Sequence, residues 1–428
     1  MTQEPRLSIC VPSRNRQYYF KKTIEGILRS SRTDFELVLV DNSDDPSIMN
    51  DYMKEVVKDP RVVYLPSTDR TLSMLDNWER TLEAATGNWV TVIGDDDYID
   101  PDVMIVLRKV VAANPGVEAF AWGALNYMWP SPQTRVQNVM IGFNHNVVKV
   151  PRSDSLKGMF GWHKAGIIPK AGFSVYHSAI SRPLLEKIKQ TFCGRYFEHP
   201  TVDYDMAMKV IVTGREFAFC QRPFSVMGSC PESNSFAIGR IDDMKTRVEA
   251  FMKELGRNMD EDPELADFPF SSHLGVSSVI GITQQWFKKK YKLNFDGWEK
   301  NFAEACARNV EIFREREAFE IVKEGYTAAL KKWRRGKFLK YFNPVLIENE
   351  LGIAISGSNE MGTYIRSDIA GVTTPVELFD IVNAMVMPAD MIKVREEGLR
   401  YPWDEFMLTI DGERRAGFQP GKGDKRVA

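Results

Sequence analysis

The run Val90-Thr91-Val92-Ile93 passes straight into Gly94-Asp95-Asp96-Asp97. Four mostly β-forming residues without alternation read as a strand buried on both faces, as in a parallel sheet covered by helices. The strand then stops in three adjacent carboxylates. Like charges at that spacing repel and cost stability unless something positive stands beside them. A hard divalent cation such as Mg2+ or Mn2+ prefers oxygen ligands and meets that need most simply. Open α/β sheets bind ligands outside the carboxyl ends of their strands. The feature therefore points to a metal-assisted site for a phosphate-bearing substrate. The bland alternative is a solvated acidic turn.

The flanking sequence repeats the same grammar. Strands are expected at 7–11, 35–40, 62–65, 118–127 and 217–226, with a short strand-like stretch at 173–180. Helices are expected at 19–29, 48–57, 72–85, 103–112 and 183–191, with another beginning near Val202. Pro12 is expected to stop the first strand, and Gly87 to cap the third helix. Residues 129–150 lose periodicity and read as a loop or hairpin. Strands alternating with helices imply βαβ units and a mostly parallel sheet. Such a sheet puts Pro12, Asp41 and Asp95 to Asp97 on one edge. After Ile241 the pattern turns helical. The expected organisation is an α/β catalytic domain over 1–244, a mainly helical accessory region over 245–415, and a disordered tail over 416–428.

The 428 residues suffice for two or more domains, and 43% hydrophobic with 27% charged residues describes a globular chain. A net charge of -2 gives no global reason for binding nucleic acid or membranes. The five cysteines form no C-x-x-C pair, which argues against structural zinc and against a disulfide framework. The first residues lack a secretory pattern, and no run approaches the roughly 18–20 apolar residues of a membrane helix. A cytoplasmic location is expected, with room for peripheral contact at the inner face of a membrane.

Each candidate group has a plain reading beside its functional one. Arg14 and Arg16 follow the first strand, where guanidiniums and backbone N–H groups can hold phosphate; a solvated turn is the plain reading. Asp41 can meet a nucleoside or close an Asx-turn. Asp69 can add a nucleoside contact or sit in a polar turn. Asp203 and Asp205 flank Tyr204 at a helix start, where acids are favoured by the helix dipole. Either can also serve as a general base.

Together these residues resemble a family 2 glycosyltransferase with the GT-A fold. Residues 7–16, with Pro12, Ser13, Arg14 and Arg16, resemble its opening strand and nucleotide loop. Residues 38–43 resemble the second-strand motif, whose aspartate, here Asp41, meets the nucleoside. Asn77-Trp78, residues 85–90 and Gly94-Asp95-Asp96-Asp97 resemble its helix, strand and DxD signature. The resemblance implies Asp97 as the leading metal ligand, with Asp95 and Asp96 as ribose or metal contacts. Val202-Asp203-Tyr204-Asp205 resembles the later motif that carries the base, which implies Asp203 and, as a fallback, Asp205. It implies Mn2+ or Mg2+, a nucleotide-sugar donor (UDP-sugar favoured), and inverting transfer to a hydroxyl. Two positions depart from the family pattern. Val202 stands where glutamate is usual, and Cys230, within 228–235, stands where many members carry a metal-side histidine. His177 and His199 are read as structural.

A glycan or lipid-linked sugar is the expected acceptor. Two basic-aromatic segments, 286–292 and 331–341, add modified-base DNA and an anionic membrane surface as further partners. Lysines snorkelling over apolar surface are their plain reading. A non-catalytic sugar-nucleotide-binding protein is the alternative to an enzyme.

Overall fold

The computed structural model describes residues 6–131, 137–233, 239–347, 356–369 and 371–394. The expected tail at 416–428, and part of the 228–235 stretch, lie outside the described residues.

In the first half, strands and helices alternate as β1 (Leu7–Ser13), α1 (Gln17–Leu28), β2 (Phe35–Asp41), α2 (Ser47–Val56), β3 (Val62–Leu65), α3 (Met74–Ala84) and β4 (Trp89–Val92). Then come β5 (Tyr98–Ile99), α4 (Val103–Ala113), β6 (Ala119–Met128), β7 (Val139–Gly142), β8 (Val147–Val150), α5 (Arg152–Phe160), β9 (Ser178–Ser181), α6 (Arg182–Thr191), α7 (Val202–Thr213) and β10 (Phe217–Ser229). The remainder is mainly helical: α8 (Ile241–Leu255), α9 (Val276–Lys290), α10 (Glu299–Val310), α11 (Arg316–Lys332), the strands β11 (Gly357–Ser358) and β12 (Gly362–Ile365), and α12 (Pro375–Asn383).

The main sheet has the order β3-β2-β1-β4-β9-β6-β10-β5, with β8 also on β10. Strands β1 to β4 pair in parallel, and β9 joins β4 and β6 antiparallel. This is the expected mostly parallel α/β architecture followed by a helical region. Alternate residues of β1 and β2 feed two cores, one on each face: Ile9 and Leu37 below, Cys10 and Val38 above. That double burial explains why these strands read as unbroken apolar runs. Helices α9 to α11 extend the upper core through Trp286, Phe302 and Tyr326. Helix α12 returns to the lower core, where Phe379 lies 5.2 Å from Tyr98.

Three local expectations are corrected. Pro12 does not stop β1, which runs through Ser13. The pairing of β1 with β4 ends at Cys10 and Val92, so the N–H that Pro12 lacks has no ladder partner to lose. Gly87 does not cap α3; the helix ends at Ala84 with Ala85 already extended. Gly87 is needed for close approach instead, because a Cβ there would lie 2.7 Å from the Arg6 carbonyl oxygen. Residues 129–150 do not form a hairpin: β7 pairs with β12 and β8 with β10. The strand-like stretch at 173–180 narrows to β9.

Candidate active site

Parallel register brings the strand ends together. Ser13 lies beside Asp41, and the Ile93 N–H donates to the Cys10 carbonyl, so the Gly94–Asp97 loop emerges at the same edge. Antiparallel pairing of β5 with β10 then folds that loop against Gly228 to Cys230. A Cβ on Gly228 would lie 1.8 Å from the Asp96 carbonyl oxygen, so only glycine permits this approach. Trp129 Nε1 donates to that oxygen at 2.8 Å, and Thr23 Oγ1 sits 2.9 and 2.8 Å from the Asp95 and Asp97 carbonyls. The carboxylate loop is thus fixed by its backbone as well as its side chains.

The three carboxylates are all buried but are differently occupied. Asp97 Oδ2 accepts from the Gly94 N–H (2.6 Å), Tyr176 hydroxyl (2.7 Å) and His177 Nε2 (2.9 Å), and Oδ1 accepts from the Gly228 N–H (2.6 Å). Four donors thus meet this one carboxylate, three of them crowding Oδ2. Burial pushes the Asp97 carboxyl up, but His177, Tyr176 and Gly228 outweigh it and hold the group below the ordinary aspartate value. Asp95 accepts from Ser13 Oγ at 2.7 Å and from Arg16 at 3.0 Å. Asp96 accepts from the Cys230 N–H at 3.0 Å through Oδ2, is also met by the Cys230 thiol, and has Arg16 at 3.7 Å from Oδ1. Burial, then Asp97 and Asp95, push Asp96 up to about 7. Arg16 is therefore the positive charge that the acidic run requires.

This donor set fits a divalent cation in one way. Among the described residues no group of three or more His, Cys, Asp or Glu side chains is arranged to hold a metal. Hard cations such as Mg2+ are commonly held by one or two carboxylates, with substrate phosphates and water completing the shell. The less occupied Asp96 suits that arrangement better than Asp97, which already accepts four hydrogen bonds. The Cys230 thiol is raised by burial and by Asp96, so it stays protonated and offers no thiolate ligand.

Asp203 and Asp205 lie in the first turn of α7 and divide in the same way. Asp205 is fully buried, and its Oδ2 accepts from the Glu198 and His199 N–H groups (2.7 and 3.2 Å) and from Lys209 (2.9 Å). Lys209 is itself buried and also pairs with Glu198 at 3.1 Å. Asp203 is only partly buried, and its carboxylate is engaged by the N–H groups of Asp203 and Tyr204 alone. Burial raises it above the ordinary aspartate value. The Tyr176 hydroxyl donates to Asp97, and its own ionisation is opposed by burial and then by Asp97, Asp96 and Asp203.

The other expected contacts are placed as follows. Arg14 pairs with Glu254 of α8 at 2.5 Å and with Asp44 at 3.5 Å. Asp41 closes an Asx-turn onto Ser43 (3.1 Å) and accepts from Ser67 (3.1 Å), while Arg80 donates to its carbonyl. Asp69 is exposed on the loop that Asn42 pins through Leu72. Pro12 is buried in β1. His199 is structural, its N–H-accepting Nδ1 bound by Thr201, and burial takes it down to about 3. His177 was expected to be structural and is buried, yet it binds the acidic loop directly. It adopts a left-handed φ of 54°, a conformation few non-glycine residues take. Sequence reasoning also missed Tyr176. No motif marks either; the only signal was a short run leading into β9.

A cavity of about 430 Å3 opens beside this edge, lined by Arg70, Ser73, Asp76, Glu254, Arg257 and Lys290 among others. No helix among the described residues is long and apolar enough to cross a membrane.

Comparison with known proteins agrees with the strand-edge geometry. Residues 8–144 match the family model for glycosyl transferase family 2. GalNAc(5)-diNAcBac-PP-undecaprenol beta-1,3-glucosyltransferase of Campylobacter jejuni is 30% identical over 115 residues, 26% of this chain and 36% of that protein. Glycosyltransferase GlyA of Streptococcus pneumoniae is 29% identical over 113 residues, 26% of this chain and 16% of that protein. The match thus spans well under two thirds of these relatives' own lengths. A solved structure of S. aureus TarS 1–349 with UDP-GlcNAc aligns over 78% of this chain and 91% of its own, at 13% identity and a TM-score of 0.44. Residues 8–144, which carry Ser13, Asp41 and the three adjacent carboxylates on one sheet edge, are thus similar to glycosyl transferase family 2.

Proposed function

We propose that this chain transfers a sugar from a nucleoside diphosphate donor, a UDP-sugar in the favoured case, to a hydroxyl acceptor with inversion at the sugar C1. One observation carries the reading: Asp203 presents a carboxylate without a side-chain donor, near enough to Tyr176, which binds Asp97, to oppose that tyrosine's ionisation. Asp203 takes the acceptor proton as the acceptor oxygen bonds to C1. The C1–O bond to the diphosphate breaks, and the leaving diphosphate keeps the electron pair. The raised proton affinity of Asp203 suits it to this task. Asp205 is bound to Lys209 and is not the base in this reading; it holds the start of α7.

The nucleoside lies along Ser13, Asp41, Asp69 and Asp95, with Arg14 and Arg16 near the phosphates. Donor binding at those guanidiniums competes with Glu254 and Asp95. A Mn2+ or Mg2+ ion, when bound, would supply Lewis-acid stabilisation of charge on the leaving diphosphate, and Asp96 is the residue we assign to hold it. This moves the assignment from Asp97, and it leaves Asp95 as a contact that orients Ser13 and Arg16. The acceptor is proposed as a glycan or lipid-linked sugar, the class named for the Campylobacter relative. Modified-base DNA is not carried forward, because in the two segments that suggested it, 286–292 and 331–341, the rings of Trp286, Phe287 and Trp333 are buried and not presented for stacking on bases. Lys288 is buried over Trp298 at 3.6 Å, while Lys289 and Lys290 pair with Asp267 and Glu198.

The test is nucleoside diphosphate release across a panel of sugar nucleotides, with donor binding measured by calorimetry. Asp203→Asn should keep donor affinity and lower transfer by about 10²–10⁴-fold. Because a base must be ionised and burial raises this one, the acid limb of kcat/KM should lie above the ordinary aspartate value of 3.8. Full transfer in a folded Asp203→Asn protein removes the base from Asp203. Absence of binding and turnover with every donor leaves the non-catalytic interaction protein as the better reading.

A further inference from the structure

The two basic-aromatic segments have opposite fates. In the first, Lys288 is buried and Lys289 and Lys290 are paired, which leaves Lys292 as its one exposed lysine without a carboxylate partner among the described residues. The second continues from the end of α11 and carries Lys331, Lys332, Arg334, Arg335, Lys337 and Lys340, all exposed. Among the described residues none of these six forms an ion pair with a carboxylate. Six cations within ten residues repel one another, and no acid within the segment offsets them. Lys332, Arg334 and Arg335 line a cavity of about 390 Å3 with Ala266, Asp267 and Pro269. Its one carboxylate, Asp267, is already held by Lys289 at 2.8 Å.

The backbone turns these side chains outward. Trp333 is 3% exposed and anchors the segment in the upper core. Arg334 and Arg335 follow it with left-handed φ values of 47° and 56°, so the chain reverses at two charged residues where glycine would be easier. The aromatic rings that could stack on bases are not presented. Trp333 is buried, and Lys337 and Lys340 lie over Phe338 and Tyr341 at 5.4 and 5.1 Å. The cations also cluster at one turn rather than along a groove that could track a strand. Just beyond them Val345 is 63% exposed, which sets an apolar side chain beside the basic cluster.

We propose that residues 331–345 form a docking surface for an anionic phospholipid membrane, with the six cations meeting headgroup phosphates and Val345 entering the interface. Clustered lysines and arginines gain from such a surface additively and lose that gain within a Debye length. This inference is independent of the transfer reaction.

The test is co-sedimentation of the full chain with vesicles of phosphatidylcholine alone, and of phosphatidylcholine and phosphatidylglycerol in equal parts. Binding should require phosphatidylglycerol and fall steeply with salt. Changing all six cations to Gln should weaken it by at least about tenfold. Arg334→Gly with Arg335→Gly should weaken it severalfold while keeping the melting temperature, since glycine prefers that backbone. Lys54→Gln with Lys58→Gln, exposed on α2 and in the turn after it, should change nothing. Nucleoside diphosphate release from a soluble donor should be the same in all these proteins. Equal binding to both vesicle types, wild-type binding by the glycine pair, or binding of duplex DNA without binding of vesicles each overturns the proposal.

Discussion

Asp97 and Asp205 stand in different elements, one at a strand end and one in the first turn of a helix, yet they are treated alike. Each is buried and is supplied with internal donors, four for Asp97 and three for Asp205. Their neighbours Asp96 and Asp203 are treated alike in the opposite sense. Asp96 takes only the N–H and thiol of Cys230 at short range, and Asp203 takes only local backbone N–H groups. In each acidic group one carboxylate builds the site and another is left with capacity to act. A carboxylate with four donors, as Asp97 has, is held in its charged form, whereas burial still raises Asp205, whose three donors all meet Oδ2 and whose Oδ1 has no partner among the described residues. An under-supplied one is pushed toward protonation by burial and gains from a cation or a proton.

The comparison can be broken at its structural members first. Asp205→Asn removes the charge facing Lys209 and leaves Glu198 as that lysine's remaining carboxylate. Breaking a buried pair costs about 3–5 kcal/mol, and the surviving partner places this change at the low end, read by chemical denaturation. Gly228→Ala should come next. Its Cβ meets backbone 1.8 Å away, so β10 and the carboxylate loop must separate. Overpacking of that kind costs about 1–3 kcal/mol, and turnover should fall further than stability does. Tyr176→Phe should be the smallest. It deletes one of four donors to Asp97, worth about 1.5 kcal/mol for a charged acceptor. If Tyr176→Phe destabilises more than Asp205→Asn does, the two carboxylates are not equivalent anchors.

The N-terminal strands were legible because burial on both faces leaves an unmistakable apolar run. Residues 35–40 were expected as a strand, and Phe35–Asp41 is one. Pro12 misled because its cost depends on which neighbour its missing N–H would face, and that is a property of register. The pairing of β7 with β12 joins Gly142 to Gly362, a separation that no local pattern reports. The acidic run was visible, but which of its members is least supplied with donors was not. Asp95, Asp96 and Asp97 differ in their donors, and those donors come from Ser13, Arg16, Tyr176, His177, Gly228 and Cys230. The need for a positive charge was read correctly in kind, yet Arg16 already meets part of it. The two basic segments were likewise indistinguishable until packing showed which lysines had partners.

One paired measurement bears most directly on this division. Asp96→Asn, Asp97→Asn, Asp203→Asn and Asp205→Asn are prepared in parallel, and melting temperature and nucleoside diphosphate release are recorded on the same samples. The account predicts that Asp97→Asn and Asp205→Asn lose melting temperature, while Asp96→Asn and Asp203→Asn melt near wild type and lose turnover. A stable Asp97→Asn protein without activity, beside an active Asp96→Asn protein, would contradict it.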